Sequence, residues 1–477
     1  MMNASPIKFG TSGWRGLIAD DFTFANLRLA VRAIAEHVTA KKKNATILIG
    51  YDPRFYSEEF SRLAVVILQE YGIRTLLCET FTPTPAVAYE IQRAKLDGAI
   101  NFTASHNPAQ YHGLKFSGPD AGPALPEVTK DIEARVAGLI AKEGAYPKMP
   151  AVPMGGALKT EKVNLRENYL KRIGELVLFD VLKKAKVKFV TDALHGCGAG
   201  YLDKALADHG VEVHARRTNR DTLFDGGGPD VSEENLAPLA KAVKESGAAA
   251  GLATDGDADR FGMIDRDGTW IQPNHILALV YDYIVETRGW KMAAARSVAT
   301  SQLIDAAAKA RGQKTYQTPV GFKYIGQLIR EDKIALGGEE SAGLTIRGHV
   351  PEKDGILACL LVAEMIAARG ASLGEQIRAL FKKVGREFWP VRENLHLSDE
   401  QKANAVKKVA VDTTTLLGRK VVSMDRTDGA KFCFEDGSWM LLRLSGTEPL
   451  LRLYVEAESA AASAKLTSEA TKWVLQN

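Results

Sequence analysis

Short apolar, β-branched runs alternate with helix-length amphipathic runs along most of this chain, and that alternation constrains the fold more than any other feature. Residues 45–50 (Ala-Thr-Ile-Leu-Ile-Gly) read as a buried strand, residues 57–71 as an amphipathic helix and residues 74–78 as the next strand. Residues 98–103 read as a further strand. Strand–helix–strand order of this kind predicts α/β layers.

The pattern restarts twice. Residues 187–191 read as a strand running into a Gly-rich turn, followed by a helix over 200–210 and a strand over 211–214. Residues 296–300 read as another strand, with a helix over 303–311. The three segments share a pattern without close sequence repetition. A Pro- and Gly-rich stretch, residues 146–156, reads as a linker. A second break falls at Phe388-Trp389-Pro390, and the helix, strands and final helix after it suit a smaller α+β unit. The expected division is 1–145, 157–262, 263–385 and 390–477. A chain of 477 residues suits several domains at roughly 100–200 residues each.

Bulk properties exclude several classes. Hydrophobic residues make up 45% and charged residues 25%, an ordinary globular balance. The net charge of +4 is spread over 62 basic and 58 acidic residues, so no nucleic-acid partner is expected. Cys78, Cys197, Cys359 and Cys433 form no C-x-x-C pair, which argues against a zinc site and a disulfide framework. No apolar leader opens the chain, and no run of about 18 apolar residues suggests a membrane span. The cytoplasm is therefore the expected location.

Four stretches carry chemistry. Thr103-Ala104-Ser105-His106-Asn107-Pro108 follows a strand, where a turn at the carboxyl edge of a sheet exposes side chains to ligands. Ser105 offers a nucleophilic hydroxyl. His106 is the second catalytic candidate there, although neighbouring side chains rarely point the same way. Asp255, Asp257 and Asp259 alternate with small residues in Asp255-Gly256-Asp257-Ala258-Asp259-Arg260, so three carboxylates face one side. Such a cluster repels itself unless a cation is present, and hard oxygen ligands suit Mg²⁺. An EF-hand is excluded, because its sixth and twelfth positions would be Arg260 and Arg266. Glu339 and Ser341, in Gly338-Glu339-Glu340-Ser341-Ala342-Gly343, can hold vicinal sugar hydroxyls. Arg443, Ser445, Gly446 and Thr447, in Arg443-Leu444-Ser445-Gly446-Thr447-Glu448-Pro449, with Arg452 soon after, make a phosphate nest. Together they supply a nucleophile, a dication site, a sugar clamp and a phosphate clamp, the parts phosphoryl transfer needs.

In motif order and identity the chain resembles the α-D-phosphohexomutase superfamily, the phosphoglucomutases and phosphomannomutases. Phe9-Gly10-Thr11-Ser12-Gly13-Trp14-Arg15-Gly16 matches the family's opening motif, and the resemblance covers essentially the whole chain. It implies a four-domain architecture around a central cleft, with three similar α/β domains and a smaller, mobile C-terminal α+β domain. It implies that Ser105 is phosphorylated in the resting enzyme, and that Asp255, Asp257, Asp259 and a phosphoserine oxygen of Ser105 hold Mg²⁺. Arg15 and Lys115 would lie near the transferring group, one or both assisting proton transfer. Glu339 and Ser341 would bind the sugar. Arg443, Ser445, Gly446, Thr447 and Arg452 would grip the phosphate that is not reacting. The implied cycle passes through a hexose 1,6-bisphosphate, with glucose 1,6-bisphosphate as activator, and the implied state is a monomer or dimer acting on a small hexose phosphate.

Gly343 stands where many phosphomannomutase/phosphoglucomutase enzymes carry a histidine. The loop Thr318-Pro319-Val320-Gly321-Phe322-Lys323 is close to the Gly-aromatic-Lys form of phosphoglucomutases, which makes Gly321 and Lys323 further substrate-binding candidates. Glucose phosphate is therefore the expected substrate, with dual glucose/mannose use second and glucosamine phosphate less expected. A metal-dependent phosphatase is the competing enzyme class, and the sugar clamp around Glu339 and the lack in this sequence of a second, His-rich metal cluster argue against it. A non-catalytic binding protein fits poorly with an intact serine and intact carboxylates. A dinucleotide site is suggested only by His195-Gly196-Cys197-Gly198-Ala199-Gly200, whose third glycine falls one residue early. Close helix–strand packing is the expected reason for those glycines. The turn 225–230 is expected to precede a helix capped by Ser232.

Overall fold

The computed structural model describes residues 7–143, 159–444 and 450–476. The expected linker, 146–156, lies outside the described residues. So do Ser445, Gly446 and Thr447 of the phosphate nest.

The described residues form four sheets. In the first, Thr46–Tyr51 pairs in parallel with Arg74–Cys78 on one side and Gly98–Phe102 on the other. Tyr111–Ser117 then runs antiparallel to Gly98–Phe102, and Trp14–Leu17 forms the edge against it. The opposite edge is Glu161–Val163, parallel to Arg74–Cys78 although it follows the linker in sequence. The second sheet runs Trp270–Ile271, Phe261–Asp265, Ala250–Thr254, Lys188–Asp192, Glu212–Arg216. The third runs Thr315–Thr318, Ala293–Ser297, Ile334–Glu339, Gly343–Ile346. The fourth, carrying the C-terminal unit, is antiparallel between Trp389–His396, Leu450–Ala457, Trp439–Leu444, Ala430–Phe434 and Arg419–Asp425. This is the four-domain α/β architecture.

One device recurs in the first three sheets. A buried parallel strand ends in a loop and returns as an antiparallel neighbour: Gly98–Phe102 to Tyr111–Ser117, Ala250–Thr254 to Phe261–Asp265, and Ile334–Glu339 to Gly343–Ile346. The serine, aspartate and glutamate motifs each occupy one of these returns, so three domains deliver their chemistry from the same topological place.

Helices cover the sheets by burying apolar faces. Gly355–Arg369 is apolar nearly all round, and residues 355–366 are buried. Asp354 starts it by accepting from the Leu357 N–H, and Gly370, at φ +62°, ends it. Among the described residues, no single helix is long and apolar enough to cross a membrane.

Several expectations shift. The strand expected at 296–300 is Ala293–Ser297. Its first residues are alanines with weak strand preference, but they lie between parallel neighbours where small side chains suffice. The helix expected over 200–210 is Leu202–Asp208, and the strand expected at 211–214 is Glu212–Arg216. Ser232 does not cap a helix; its Oγ accepts from the Asn235 N–H within a turn, and the helix begins at Ala237. Of the glycines of 195–200, Gly196 packs against the aspartate loop, Gly198 against the Thr254 side chain at the end of the strand Ala250–Thr254, and Gly200 against Arg166. A Cβ on Gly196 would lie 2.7 Å from the Gly256 carbonyl oxygen, and Cys197 N–H donates to that oxygen at 2.9 Å.

Candidate active site

Ser105 sits at the return after Gly98–Phe102, only 1% exposed and in the left-handed region at φ +52°. Side chains adopt that conformation only where the surroundings impose it. Here Arg54, fully buried, imposes it. Its guanidinium donates to the carbonyl oxygens of Ser105 (2.8 Å), Asn107 (2.5 Å), Pro108 (2.8 Å) and Tyr111 (3.0 Å). Asp52 holds the guanidinium from behind at 3.1 Å. The Ser105 N–H donates to Thr103 Oγ1 at 2.8 Å. The side chain is thereby aimed across the domain boundary, where Ser105 Oγ donates to Asp255 Oδ2 at 2.6 Å.

Asp255, Asp257 and Asp259 are buried, and each offers a carboxylate oxygen within 4.8 Å of the others. Burial, then the charges of Asp257 and Asp259, push Asp255 well above the usual carboxylate range. Asp259 behaves oppositely: burial would raise it, but Lys115, Lys353 and Arg260 outweigh burial and hold it far down. Lys115 Nζ donates to Asp257 Oδ2 at 2.5 Å and to Asp259 Oδ2 at 2.7 Å, and Lys353 Nζ lies 3.1 Å from Asp259 Oδ2. Thr84 Oγ1 donates to Asp257 Oδ2 from the first domain. Asp257 Oδ1 and Asp259 Oδ1 remain buried with no hydrogen-bond partner. Unpartnered carboxylate oxygens are costly in a buried place. A dication with hard-oxygen preference fits this donor set.

Above these groups opens a cleft of about 1140 Å³, walled by all four domains. Arg15, His106, Asn107, Arg260 and Lys353 form its floor, while Ser105, Lys115 and the three aspartates lie just beneath. Arg15 Nη1 donates to Asn107 Oδ1 at 2.5 Å, and burial followed by the charge of Arg260 lowers Arg15 to about 10. His106 is driven well below its ordinary range by burial, then by Arg260 and Arg15, so its ring is neutral.

Gly321, Glu339 and Ser341 line one wall. Gly321, at φ +131°, lets its N–H donate to Glu339 Oε1 at 2.7 Å, a backbone conformation that side chains rarely adopt. Burial, then Glu340, raises Glu339 to about 7. Lys323 is not part of the wall; its Nζ sits 5.4 Å from the Tyr324 ring. Arg452 lines the wall of the C-terminal unit. Arg443 stands behind that wall, its Nε 2.9 Å from Asp428 Oδ1, and Asp428 Oδ2 accepts the Val320 N–H at 3.1 Å.

Sequence reasoning passed over Arg54, Thr84 and Lys353. Arg54 left a signal, Asp52-Pro53-Arg54 at the carboxyl end of a buried strand, the same position that favoured the serine loop. Thr84 and Lys353 left none, because their contacts with the aspartates are purely tertiary.

A protected hydroxyl, clustered carboxylates and surrounding cations suit phosphoryl transfer, whose catalysis is mostly positioning and neutralising charge. Four family profiles divide the chain between them. Phosphoglucomutase/phosphomannomutase α/β/α domains I, II and III match residues 6–142, 167–268 and 272–384, and the C-terminal domain matches 393–472. A phosphoglucomutase/phosphomannomutase from Thermococcus kodakarensis is 32% identical over 454 residues, 94% of each chain. A protein from Methanothermobacter thermautotrophicus, named a probable phosphoglucosamine mutase, is 30% identical over 100% of this chain and 99% of its own. A Thermus thermophilus structure, solved as a candidate phosphomannomutase, superposes with a TM-score of 0.85 at 30% identity, covering 99% of this chain and 100% of that one. The fold and site thus define a phosphohexomutase, an isomerase of hexose phosphates. The chain belongs to the phosphoglucomutase/phosphomannomutase family of the α-D-phosphohexomutase superfamily.

Proposed function

We propose that the protein interconverts hexose 1-phosphate and hexose 6-phosphate, with α-D-glucose phosphate preferred, through phosphorylated Ser105 and a hexose 1,6-bisphosphate. The observation that carries this reading is the 2.6 Å contact between Ser105 Oγ and Asp255 Oδ2, which sets a nucleophile of the first domain on the acidic cluster of the second.

Asp255, Asp257 and Asp259, with Ser105 beside them, would hold Mg²⁺, which supplies neutralisation of charge at the transferring phosphoryl group. Ser105 gives its phosphoryl group to the free hydroxyl of the substrate. The bisphosphate turns over within the cleft, and its other phosphate returns to Ser105. Lys115 and Arg15 stabilise negative charge at the transferring group, and one or both assist transfer of the hydroxyl proton. Glu339 and Ser341 accept and donate to sugar hydroxyls. Arg443 and Arg452, with Ser445, Gly446 and Thr447, hold the phosphate that is not reacting.

Preference for glucose rests on two loops. At Gly343 a Cβ would already collide with Lys353 Cδ, so the histidine of the dual-specificity pattern has no room while Lys353 stays on Asp259. Gly321 and Phe322, in the loop whose sequence resembles the phosphoglucomutase form, line the cleft.

A phosphorus NMR time course tests the proposal. The protein receives Mg²⁺, a trace of glucose 1,6-bisphosphate, and glucose, mannose or glucosamine 1-phosphate. Formation of the 6-phosphate, fastest for glucose, is expected. Release of inorganic phosphate alone would contradict the mutase reading, and faster conversion of another sugar would contradict the preference.

A further inference from the structure

Thr84 opens the helix Thr84–Ala94 of the first domain, directly after Pro83, and is buried. None of the four motifs includes it, and it is not among the residues lining the cleft. It nevertheless meets Asp257 of the second domain twice. Its N–H, one of those that a helix start leaves without an internal partner, donates to the Asp257 carbonyl oxygen at 2.9 Å. Its Oγ1 donates to Asp257 Oδ2, across 173 positions of sequence.

Asn101, buried on the neighbouring strand, decides the direction of the side-chain bond. Its Nδ2 donates to Thr84 Oγ1 at 2.8 Å. A hydroxyl that accepts from an amide keeps its single proton for another acceptor, and Asp257 Oδ2 is that acceptor. The Lys115 ammonium donates to the same oxygen at 2.5 Å. Two donors thus converge on Oδ2, while Oδ1 of the same carboxylate is buried with no hydrogen-bond partner. The free oxygen belongs to a cluster with carboxylates of Asp255 and Asp259, so the ligand that suits it is a cation.

We infer that Thr84 is a positioning residue: backed by Asn101, it occupies Asp257 Oδ2 and so turns Oδ1 to the magnesium ion. The inference rests on the metal-dependent mutase reading above, and adds to it a residue of the first domain that orients a ligand in the second. Ser105 Oγ on Asp255 Oδ2 crosses the same boundary, so the aspartate loop is held against the serine loop at two points. Partners that orient a metal ligand act on metal affinity, typically by about 10–100-fold.

The test compares wild type with three variants. Thr84→Val keeps the shape and deletes the hydroxyl, Thr84→Ser keeps the hydroxyl, and Asn101→Ala leaves the hydroxyl free to turn away. Magnesium binding is read by calorimetry without substrate, alongside the thermal midpoint and KM for glucose 1-phosphate at saturating magnesium. Magnesium binding and turnover by the wild type decide the metal-dependent reading separately. For Thr84→Val, magnesium affinity is expected to fall at least about tenfold, with KM within about twofold because the substrate is not touched. Thr84→Ser is expected to stay close to wild type and Asn101→Ala to lie between. Equal magnesium affinity in wild type and Thr84→Val would overturn the inference. A lowered thermal midpoint with unchanged magnesium affinity would do the same, as the mark of a contact that only joins two domains, and so would equal losses in Thr84→Ser and Thr84→Val. Should Thr84→Val not fold, unchanged magnesium affinity in Asn101→Ala overturns it instead.

Discussion

Arg54 donates to the carbonyl oxygen of Ser105 at 2.8 Å, so a buried guanidinium 51 positions away in sequence fixes the backbone of the nucleophile. The same group satisfies three further carbonyls of the loop and is itself paired with Asp52. No other side chain type offers five donors in a fixed fork.

Replacing Arg54 by methionine should therefore leave Asp52 buried without its partner and the loop carbonyls unsatisfied. A loss of about 3–5 kcal/mol is expected in the unfolding of the first α/β unit, together with a fall in kcat. Lysine at this position should rescue little, having the charge without the fork. Thermal melts and initial rates check this, and an unchanged midpoint and rate would contradict the clamp.

Asp257→Asn should weaken magnesium affinity at least about tenfold, because it alters a carboxylate whose Oδ1 is buried without a partner. A magnesium titration of activity, paired with direct metal binding by calorimetry, reads both effects. Coincident curves for wild type and variant would count against the metal site.

Glu339 should impose a pH dependence. Its carboxyl is raised to about 7 by burial and by Glu340, while the Gly321 N–H, Lys353 and Arg260 pull it down. A raised carboxyl favours the protonated folded state, so its contribution to stability is fully present below its ordinary value and is lost as pH rises through about 7. Sugar binding runs the other way, because the ionised form is the better acceptor. kcat/KM should rise with pH through about 7, and Glu339→Gln should flatten that limb. A limb unchanged in the variant would assign it elsewhere.

Arg443→Ala should raise KM by about tenfold or more, the scale of a lost charge-assisted hydrogen bond, and leave the magnesium titration in place. The variant also frees Asp428, which otherwise ties the Val320 N–H of the sugar loop to the phosphate-binding strand. Equal substrate affinity in the two proteins would contradict the assignment.

The layers are legible in the sequence because apolar runs and helix periods are local. Arg74–Cys78 falls where its leucines place it. Ala293–Ser297 lies earlier in the chain than its apolar signal, because alanine gives little strand preference and burial between parallel neighbours decides its state instead. The motif residues are legible singly, but Ser105 and Asp255 lie 150 positions apart, and nothing local says that they touch. The hairpin-like returns of two sheets make that contact, and long-range topology of this kind leaves no spacing to read. Lys323 is the converse case: a motif position whose Nζ sits 5.4 Å from the Tyr324 ring and which is not among the residues lining the cleft.

The central claim is that the phosphoryl group passes through Ser105. Incubation with Mg²⁺ and radiolabelled glucose 1,6-bisphosphate, followed by peptide mapping, tests it most directly. The account predicts label on the peptide containing Ser105, chased off by glucose 6-phosphate, and neither label nor turnover in Ser105→Ala. Sustained mutase turnover by Ser105→Ala, or label on another residue with Ser105 unmodified, would contradict it.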